Sequence, residues 1–519
     1  MSYHLASRSP FKPALMSRVG HRPALPRSAP RAGVTASADR LLLLQVLLCV
    51  VPTVLLFIFV GPRLGAMCFW GLLGAMSLGL ALFGRSGDLL RLLIGVAPWI
   101  SLTRDFTFYN LPTVLFVGAL CYHSLLRPGE VASVLRRLPY AWALLVVPPL
   151  LYGASLFMTR YYASNLRILE FAGVLLTVVV IGSHHRRLQA PLLGLLVSAV
   201  GVGLAMFKYS AATIGRLGMA TLDDQSIESI GNPVQLGASL ALSLLALSMD
   251  RGQWLGLKSK PSLRYGLLLS VACLLAFTTS RAAWLVVACG FLAVLLVGHR
   301  QRRFLFFPLA AAALVCTLLL QSDFGSGFQK GIKSTFGADK SLDSRTSGRL
   351  DQWAVAWTAF TSSPLSVVAG HGPGTGPEMY ARFSLVTKDV TYGAGRRKVF
   401  HSLFMLIMVE TGLLGLVPLL LWLGAVGLRV FRWTIRSGFT FPLTCLFGYL
   451  CTVLTVEGFD VGCGIYLGIA LIACLSPALS RNHRLTPVRH PGLAPPGQFR
   501  PPGLIRRPGG LTNWKPKSL

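Results

Sequence analysis

The sequence predicts an all-α polytopic membrane protein with about 12–14 transmembrane helices and one long outer loop that carries a surface helix. Of its residues, 53% are hydrophobic and only 13% are charged, about half the charged share of a soluble domain. Successive apolar runs of about 17–22 residues are long enough to cross about 30 Å of hydrocarbon as helices. A long hydrophilic interval, residues 321–400, interrupts these runs.

The apolar runs define fourteen predicted spans, of which the third is short enough to be re-entrant. These spans are residues 41–60, 64–83, 88–101, 111–126, 139–158, 168–183, 191–207, 232–249, 264–279, 282–298, 303–320, 401–427, 439–456 and 461–478.

The basic residues of the loops predict the orientation. When the N-terminus is placed on the cytoplasmic side, every loop on that side carries at least two Lys or Arg residues, and no short outer loop carries more than two. This arrangement satisfies the positive-inside rule and makes both termini cytoplasmic. The interval 321–400 then faces outward, together with its junction with the next span.

Much of the formal net charge of +31 lies in two tails, residues 1–40 and 479–519. Both tails are rich in proline and lack apolar periodicity, so we predict that they are disordered. Basic tails beside spans are typical of a cytoplasmic surface that faces anionic lipids, and we therefore expect no nucleic-acid partner. Between the tails we expect N-terminal transmembrane helices over 41–320, a large outer loop over 321–400 and C-terminal transmembrane helices over 401–478.

The sequence gives little support to a metal site. The ten cysteines lie in or beside apolar runs and form no CxxC pair, which argues against zinc, iron–sulfur and disulfide-framework sites. An acidic pair, Asp223 and Asp224, falls in an outer loop, but no third ligand is evident and a solvated loop is favoured. We therefore expect neither a metal nor another cofactor.

Three cationic or ionisable residues fall on the predicted outer face. Arg281 lies in a tight hairpin, where a charge in lipid would cost about 2.5–3.5 kcal/mol unless it snorkels or faces a cavity. Arg349 opens an amphipathic helix with Trp353 and Trp357 on one face, which we expect to lie along the membrane surface. His401 lies where the loop meets the next span. Taken alone, each of the three is equally compatible with a simple interfacial anchor.

A glycine-rich segment of the loop and an acidic residue of the following span each allow a structural and a functional interpretation. The glycine-rich segment Gly370–Gly376 lacks the Lys-Ser/Thr ending of a P-loop. We predict a sharp turn that returns the loop to the bilayer, although its backbone amides could also meet an anion. Glu410 is an intramembrane acid and hence a functional candidate, but pairing with a neighbouring helix would make it structural, and we favour that interpretation.

The spacing around His401 resembles a family signature. His401 is followed by Ser402, nine further residues, Gly412, two residues and Gly415. This pattern resembles the His-[Asn/Ser/Gln]-x9-Gly-x-x-[Gly/Thr/Tyr] signature of the O-antigen ligase superfamily, which includes O-antigen polymerases and bacterial O-oligosaccharyltransferases.

Other parts of the chain resemble the same family. They are the Thr-x-Ser-Arg hairpin that ends at Arg281 and the run from Ser-Gly-Arg349 through Pro364-Leu to Gly370-x-Gly372. With them the resemblance covers about residues 190–430. Ligases of this family usually have about twelve spans, whereas up to fourteen are predicted here together with long tails, which leaves the subtype open.

The resemblance implies a glycan donor on undecaprenyl pyrophosphate at the periplasmic face of the bacterial inner membrane, among membrane lipids. The acceptor would be a hydroxyl of lipid A–core, as for a ligase, and repeat-unit polymerisation at the same site is the near alternative. As catalytic residues, Arg281 and Arg349 would neutralise the leaving diphosphate, and neutral His401 would accept the proton of the acceptor. The residues expected to bind substrate are Arg281, Arg349, Arg216, Trp353 and Gly372.

Two functions of other classes compete with this enzyme. A flippase for lipid-linked oligosaccharides also suits many spans and cationic cavities, but such transporters commonly have two related halves, and no repeat between halves is evident here. A membrane scaffold without chemistry is disfavoured because Arg281, Arg349 and His401 all fall on one predicted face.

Overall fold

The computed structural model describes residues between Ala32 and Leu475. The described residues are 32–103, 111–138, 162–183, 188–210, 220–223, 226–228, 233–249, 261–278, 280–297, 349–384, 391–392, 396–397, 400–454 and 461–475, with scattered positions between 310 and 329. The C-terminal tail and the predicted span at 139–158 lie outside them, as does most of the predicted span at 303–320.

The described part of the chain contains seventeen helices. They are α1 (Ala32–Phe59), α2 (Pro62–Leu82), α3 (Ser86–Gly95), α4 (Ala97–Thr103), α5 (Leu111–Leu126), α6 (Pro128–Arg137), α7 (Tyr162–Gly182), α8 (Gln189–Ser210), α9 (Pro233–Met249), α10 (Pro261–Thr278), α11 (Arg281–Val297), α12 (Arg349–Phe360), α13 (Pro364–Ala369), α14 (Gly376–Phe383), α15 (Leu403–Ser437), α16 (Phe441–Val453) and α17 (Val461–Leu475).

Two short antiparallel hairpins accompany the helices. Strand β1 (Ala220–Asp223) pairs with β2 (Ser226–Glu228), and β3 (Thr391–Tyr392) pairs with β4 (Arg396–Arg397). Each is a two-stranded sheet, so neither adds a layer to the helical architecture.

The helices confirm an all-α polytopic membrane protein. Four described helical segments are long and apolar enough to cross a membrane: Ala38–Phe59, Pro62–Leu82, Gln189–Phe207 and Leu403–Ser437. Seven shorter apolar helices accompany them, at Leu111–Leu126, Ile168–Gly182, Val234–Met249, Ser262–Thr278, Arg281–Val297, Phe441–Val453 and Val461–Leu475.

Helix α8 lies inside the bundle, where it packs against α1, α3, α4 and α9. Its contact with α3 is close because both helices present glycine: a Cβ atom on Gly194 would lie 3.1 Å from the Cα of Gly95. The hydroxyl of Ser198 also donates to the carbonyl of Gly95 at 2.7 Å. Small residues that let helix backbones approach are typical of packing within membranes.

The predicted span at 88–101 is a broken helix inside the protein. Helix α3 ends before Val96 and α4 begins after it, and Leu90, Leu93 and Trp99 are fully buried. Pro98 has no N–H to donate to the carbonyl of residue 94, which removes one hydrogen bond of a continuous helix at this point.

Two boundaries differ from the sequence prediction. Helix α1 begins at Ala32, so the last residues of the predicted disordered tail are helical, and Asp39 there forms an ion pair with Arg91 of α3. Helix α15 runs beyond the predicted end of its span at residue 427. It ends at Ser437, where Gly438 in a left-handed conformation (φ 67°) donates its N–H to the carbonyl of Thr434.

Candidate active site

Helix α12 holds the backbone of His401 from two sides. The guanidinium Nη1 of Arg349 donates to the carbonyl oxygen of His401 at 3.2 Å. The amide N–H of His401 donates to the side-chain oxygen of Gln352 at 3.3 Å. Arg349 and Gln352 are three residues apart and therefore lie on one face of the helix. The structure thus brings the Arg349 side chain to the backbone of His401 and adds Gln352, for which the sequence offered no signal beyond its position on an amphipathic helix.

The residues beside His401 are buried, while His401 itself is half-buried. Phe400 and Ser402 are 0% and 1% exposed. Ser402 is the N-cap of α15 with an extended backbone, and its carbonyl accepts the N–H of Leu406 at 2.9 Å. The imidazole is therefore carried on a fixed backbone at the start of the long helix.

Gly412, the first of the two signature glycines, forms a kink in α15. Gly412 has φ 60° and ψ −154°, a conformation that is essentially restricted to glycine. A Cβ atom there would also lie 2.6 Å from the backbone of Val368 and of Gly370. At Gly415 a Cβ atom would lie 1.9 Å from the hydroxyl oxygen of Thr411. Glycine is therefore required at both positions, for conformation and space at the first and for space at the second.

The glycine-rich segment docks into this kink. The N–H groups of His371 and Gly372 donate to the carbonyls of Val409 and Glu410, both at 2.9 Å. In an uninterrupted α-helix those carbonyls would accept from residues four positions later, beyond the kink at Gly412. This geometry favours the structural interpretation of the turn. The binding of substrate by Gly372 stays a prediction, and its amide already serves the kink.

Glu410 connects the kink to a loop helix. Its side chain is 2% exposed, and Oε1 accepts the N–H of Gly376, the first residue of α14, at 2.9 Å. A carboxylate at a helix N-terminus satisfies a backbone donor and interacts favourably with the helix dipole. The partner thus belongs to the loop, where the sequence had suggested a neighbouring membrane helix.

Arg281 lies at the end of α11 that points toward the start of α15. Helices α11 and α16 are antiparallel, because Gly448 faces Val286 and Gly290 faces Thr444. The first residue of α11, Arg281, therefore lies where α16 ends.

Helix α16 follows α15 after the short connection 438–440 and packs against it, so the start of α15 lies toward the same end of the bundle. This shared end is the positional evidence for Arg281, whereas Arg349 and His401 are joined by a hydrogen bond.

The turn before Arg281 is closed by side chains. The hydroxyl of Thr278 donates to the carbonyl of Leu275 at 2.7 Å and accepts the N–H of Ser280 at 3.3 Å. A Cβ atom on Gly237 of α9 would lie 2.9 Å from the Cβ of Ser280. The Thr-x-Ser-Arg sequence therefore caps α10, packs on α9 and starts α11.

Helices α12, α13 and α15 carry four exposed apolar residues. Trp357 is 59% exposed, Leu365 74%, Val368 50% and Leu414 67%, and we call these four residues the apolar surface. Helix α13, which carries two of them, packs against α15. Trp353 is half-buried on α12, and within the described residues its indole N–H has no hydrogen-bond partner.

The other predicted residues are not placed. Arg216 and Asp224 lie outside the described residues, and only the backbone of Asp223 is described, at the end of β1. In the part of the chain that the structure describes, no group of three or more His, Cys, Asp or Glu residues could hold a metal ion.

The fold and the site define a polytopic membrane protein whose loop helices hold an Arg–His pair at the start of a kinked span. The family model described as O-antigen ligase matches residues 266–420. The match confirms the resemblance to the O-antigen ligase superfamily and its ligase- or polymerase-like glycosyltransferases. It contains Arg281, Arg349, His401 and both signature glycines. No curated protein matches the chain.

Proposed function

We propose that the protein transfers a glycan from an undecaprenyl-pyrophosphate carrier to an acceptor hydroxyl, with lipid A–core as the acceptor, at the periplasmic face of the bacterial inner membrane. The observation that carries this proposal is the hydrogen bond between Arg349 and the backbone of His401, inside the segment that matches the O-antigen ligase family. It brings a candidate phosphate-binding cation to a candidate base.

The chemistry follows from these two side chains. The hydroxyl oxygen of the acceptor attacks the anomeric carbon of the donor, and its proton passes to the imidazole of His401. The bond between the anomeric carbon and the pyrophosphate oxygen breaks, and its electron pair stays on the diphosphate. The guanidinium of Arg349 stabilises the charge that develops there, since a planar fork of five N–H donors can serve a carbonyl and a phosphate together.

Arg281 supplies a second cation to the same leaving group. The direction of α11, which begins at Arg281 on the side toward the start of α15, supports this role. Arg216, Trp353 and Gly372 are proposed to contact the donor elsewhere. Trp353 lies one helical turn from Arg349 on α12, so its ring can pack against the substrate beside the diphosphate.

The apolar surface supports a lipid-linked donor. Trp357, Leu365 and Val368 are exposed on α12 and α13, and α13 packs against α15, which presents exposed leucines as a membrane span does. A diphosphate held by Arg349 would therefore have lipid within reach for its isoprenoid chain.

The test is transfer by the purified protein in detergent. Undecaprenyl-pyrophosphoryl glycan and lipid A–core should yield free undecaprenyl pyrophosphate and a new glycoside, and the His401→Ala protein should yield neither. A flippase would form no glycoside, and that result with well-folded protein would refute the proposal.

The near alternative is polymerisation of repeat units. The superfamily that the signature around His401 resembles includes polymerases as well as ligases. A glycan profile of a strain that lacks the protein separates them. Complete polymer retained on its lipid carrier indicates a ligase, whereas single repeat units indicate a polymerase.

A further inference from the structure

We infer that Glu410 is a positioning residue, which holds the glycine-rich turn and α14 around the kink of α15 and thereby fixes the segment that carries His401. This inference rests on the proposed transfer reaction and adds a residue to its machinery.

The first observation is the surroundings of the carboxylate. The Glu410 side chain is 2% exposed, and a carboxylate buried in the protein is costly unless it is paired or hydrogen-bonded. Its Oε1 accepts the N–H of Gly376 at 2.9 Å. A Cβ atom on Gly376 would lie 2.9 Å from that oxygen and 2.6 Å from Leu406. The fit leaves no room for a larger residue at position 376.

The second observation is the backbone of the same residue. Its carbonyl accepts the N–H of Gly372, and the preceding carbonyl of Val409 accepts the N–H of His371. The ring Nε2 of His371 lies 2.8 Å from the carbonyl of Ala359, near the end of α12. Glu410 therefore binds the glycine-rich turn through its backbone and α14 through its side chain. The same turn also contacts α12, the helix that carries Arg349, through His371.

The third observation links α14 to His401. Tyr380 of α14 packs edge-on against Phe400, with ring centroids 5.4 Å apart and planes at 69°. Phe400 is fully buried and directly precedes His401. Displacement of α14 would therefore move the support of Phe400, and with it the imidazole. Because its carboxylate is buried against Gly376, Glu410 acts through α14 and is assigned no contact with the substrate.

The test compares three variants in the full-length protein. Glu410→Ala removes the acceptor for Gly376, whereas Glu410→Gln keeps an oxygen at the same place. We expect Glu410→Ala to lower kcat about 10- to 100-fold with little change in the KM for the donor, since a misplacement of about 1 Å can cost that much. We expect Glu410→Gln to stay within about threefold of the wild type. Glu170→Ala is the matched control: this acid of α7 is equally buried and should leave kcat per folded molecule unchanged.

A second measurement does not depend on activity. Hydrogen–deuterium exchange at the amides of Gly372 and Gly376 should become faster in Glu410→Ala and remain slow in Glu410→Gln. If wild-type protein transfers nothing, the proposed reaction fails, and the exchange rates still decide whether Glu410 holds the turn.

Two outcomes would overturn the inference. A folded Glu410→Gln protein as inactive as Glu410→Ala would mean that the carboxylate takes part in the chemistry. Wild-type kcat, or unchanged exchange, in Glu410→Ala would mean that the hydrogen bond to Gly376 positions nothing.

Discussion

The contact between α3 and α8 and the site formed by α12–α15 are assembled by different forces. Helices α3 and α8 meet where Gly95 and Gly194 remove side chains, so their contact depends chiefly on shape. At the site, the elements meet through hydrogen bonds to the backbone of His401, Val409 and Glu410. A shape contact tolerates modest substitutions at a graded cost, whereas a site held by single hydrogen bonds depends on individual donors and acceptors. Substitutions in the two regions should therefore separate stability from activity.

The largest expected effect is that of His401→Ala. Removal of a general base should lower transfer about 10²- to 10⁴-fold while membrane insertion stays intact. The measurement is the release of undecaprenyl pyrophosphate by purified protein. Activity above a tenth of the wild type would exclude His401 as the base.

The two arginines should differ in their response to lysine. Arg349→Ala and Arg281→Ala should each lower kcat about 10²- to 10³-fold, since each removes a cation from the leaving group. Arg349→Lys should also be poor, because an ammonium cannot reproduce the fork that meets both the His401 carbonyl and a phosphate. Arg281→Lys should retain more activity as a point charge. Equal activity of the two lysine variants would remove the double role assigned to Arg349.

Gly412→Ala should impair both stability and transfer. The backbone conformation alone costs about 1–3 kcal/mol for a residue with a side chain, and the Cβ atom would meet the backbone of Val368 and Gly370. Gly424→Ala is the control in the same helix: nothing lies within 4 Å of its Cβ position, so the change should be neutral or slightly stabilising. Thermal unfolding in detergent, measured beside transfer, compares the two. If Gly412→Ala and Gly424→Ala unfold at the same temperature, the kink does not require glycine at position 412.

Gln352→Ala should have a moderate effect. It removes the acceptor of the His401 amide, a bond of about 0.5–1.5 kcal/mol, and should lower kcat about 3- to 10-fold. Gln352→Glu keeps an oxygen in place and should restore most of the rate. If kcat for Gln352→Ala equals that of the wild type, α12 does not orient His401 through this residue.

The smallest effect on transfer is expected for Ser198→Ala. It removes the hydrogen bond to Gly95 and should lower the free energy of unfolding by about 1 kcal/mol, with kcat unchanged. Parallel losses of stability and kcat would show that the α3–α8 contact and the site are coupled.

The sequence predicted what depends on local pattern. Hydropathy gave the membrane helices, and the family resemblance of two separate segments singled out Arg349 and His401, between which the structure has a hydrogen bond from side chain to backbone. It did not predict the partners of Gln352, Glu410 or the glycine-rich turn. Those bonds join residues that lie 34 to 49 positions apart in the chain, and their formation depends on tertiary packing.

The sequence also predicted too early an end for α15, at residue 427 instead of Ser437. Arginines at positions 429, 432 and 436 suggested a loop, but long basic side chains extend readily from the end of a membrane helix. The break between α3 and α4 falls beside Pro98, a residue that disfavours a continuous helix, but the apolar residues around it show no change of hydropathy that would place a boundary there.

The distance along α15 between the kink and the arginines near its end bears on the depth of the site in the membrane. From Gly412 to Arg429 the helix rises about 25 Å, at about 1.5 Å per residue, which is close to the hydrocarbon thickness of a bilayer. With Arg429 and the two arginines after it among the headgroups of one leaflet, the bend is carried to the opposite boundary. Under the proposed function, this fixed length would hold Arg349 and His401 at the level where the phosphates of a membrane lipid lie.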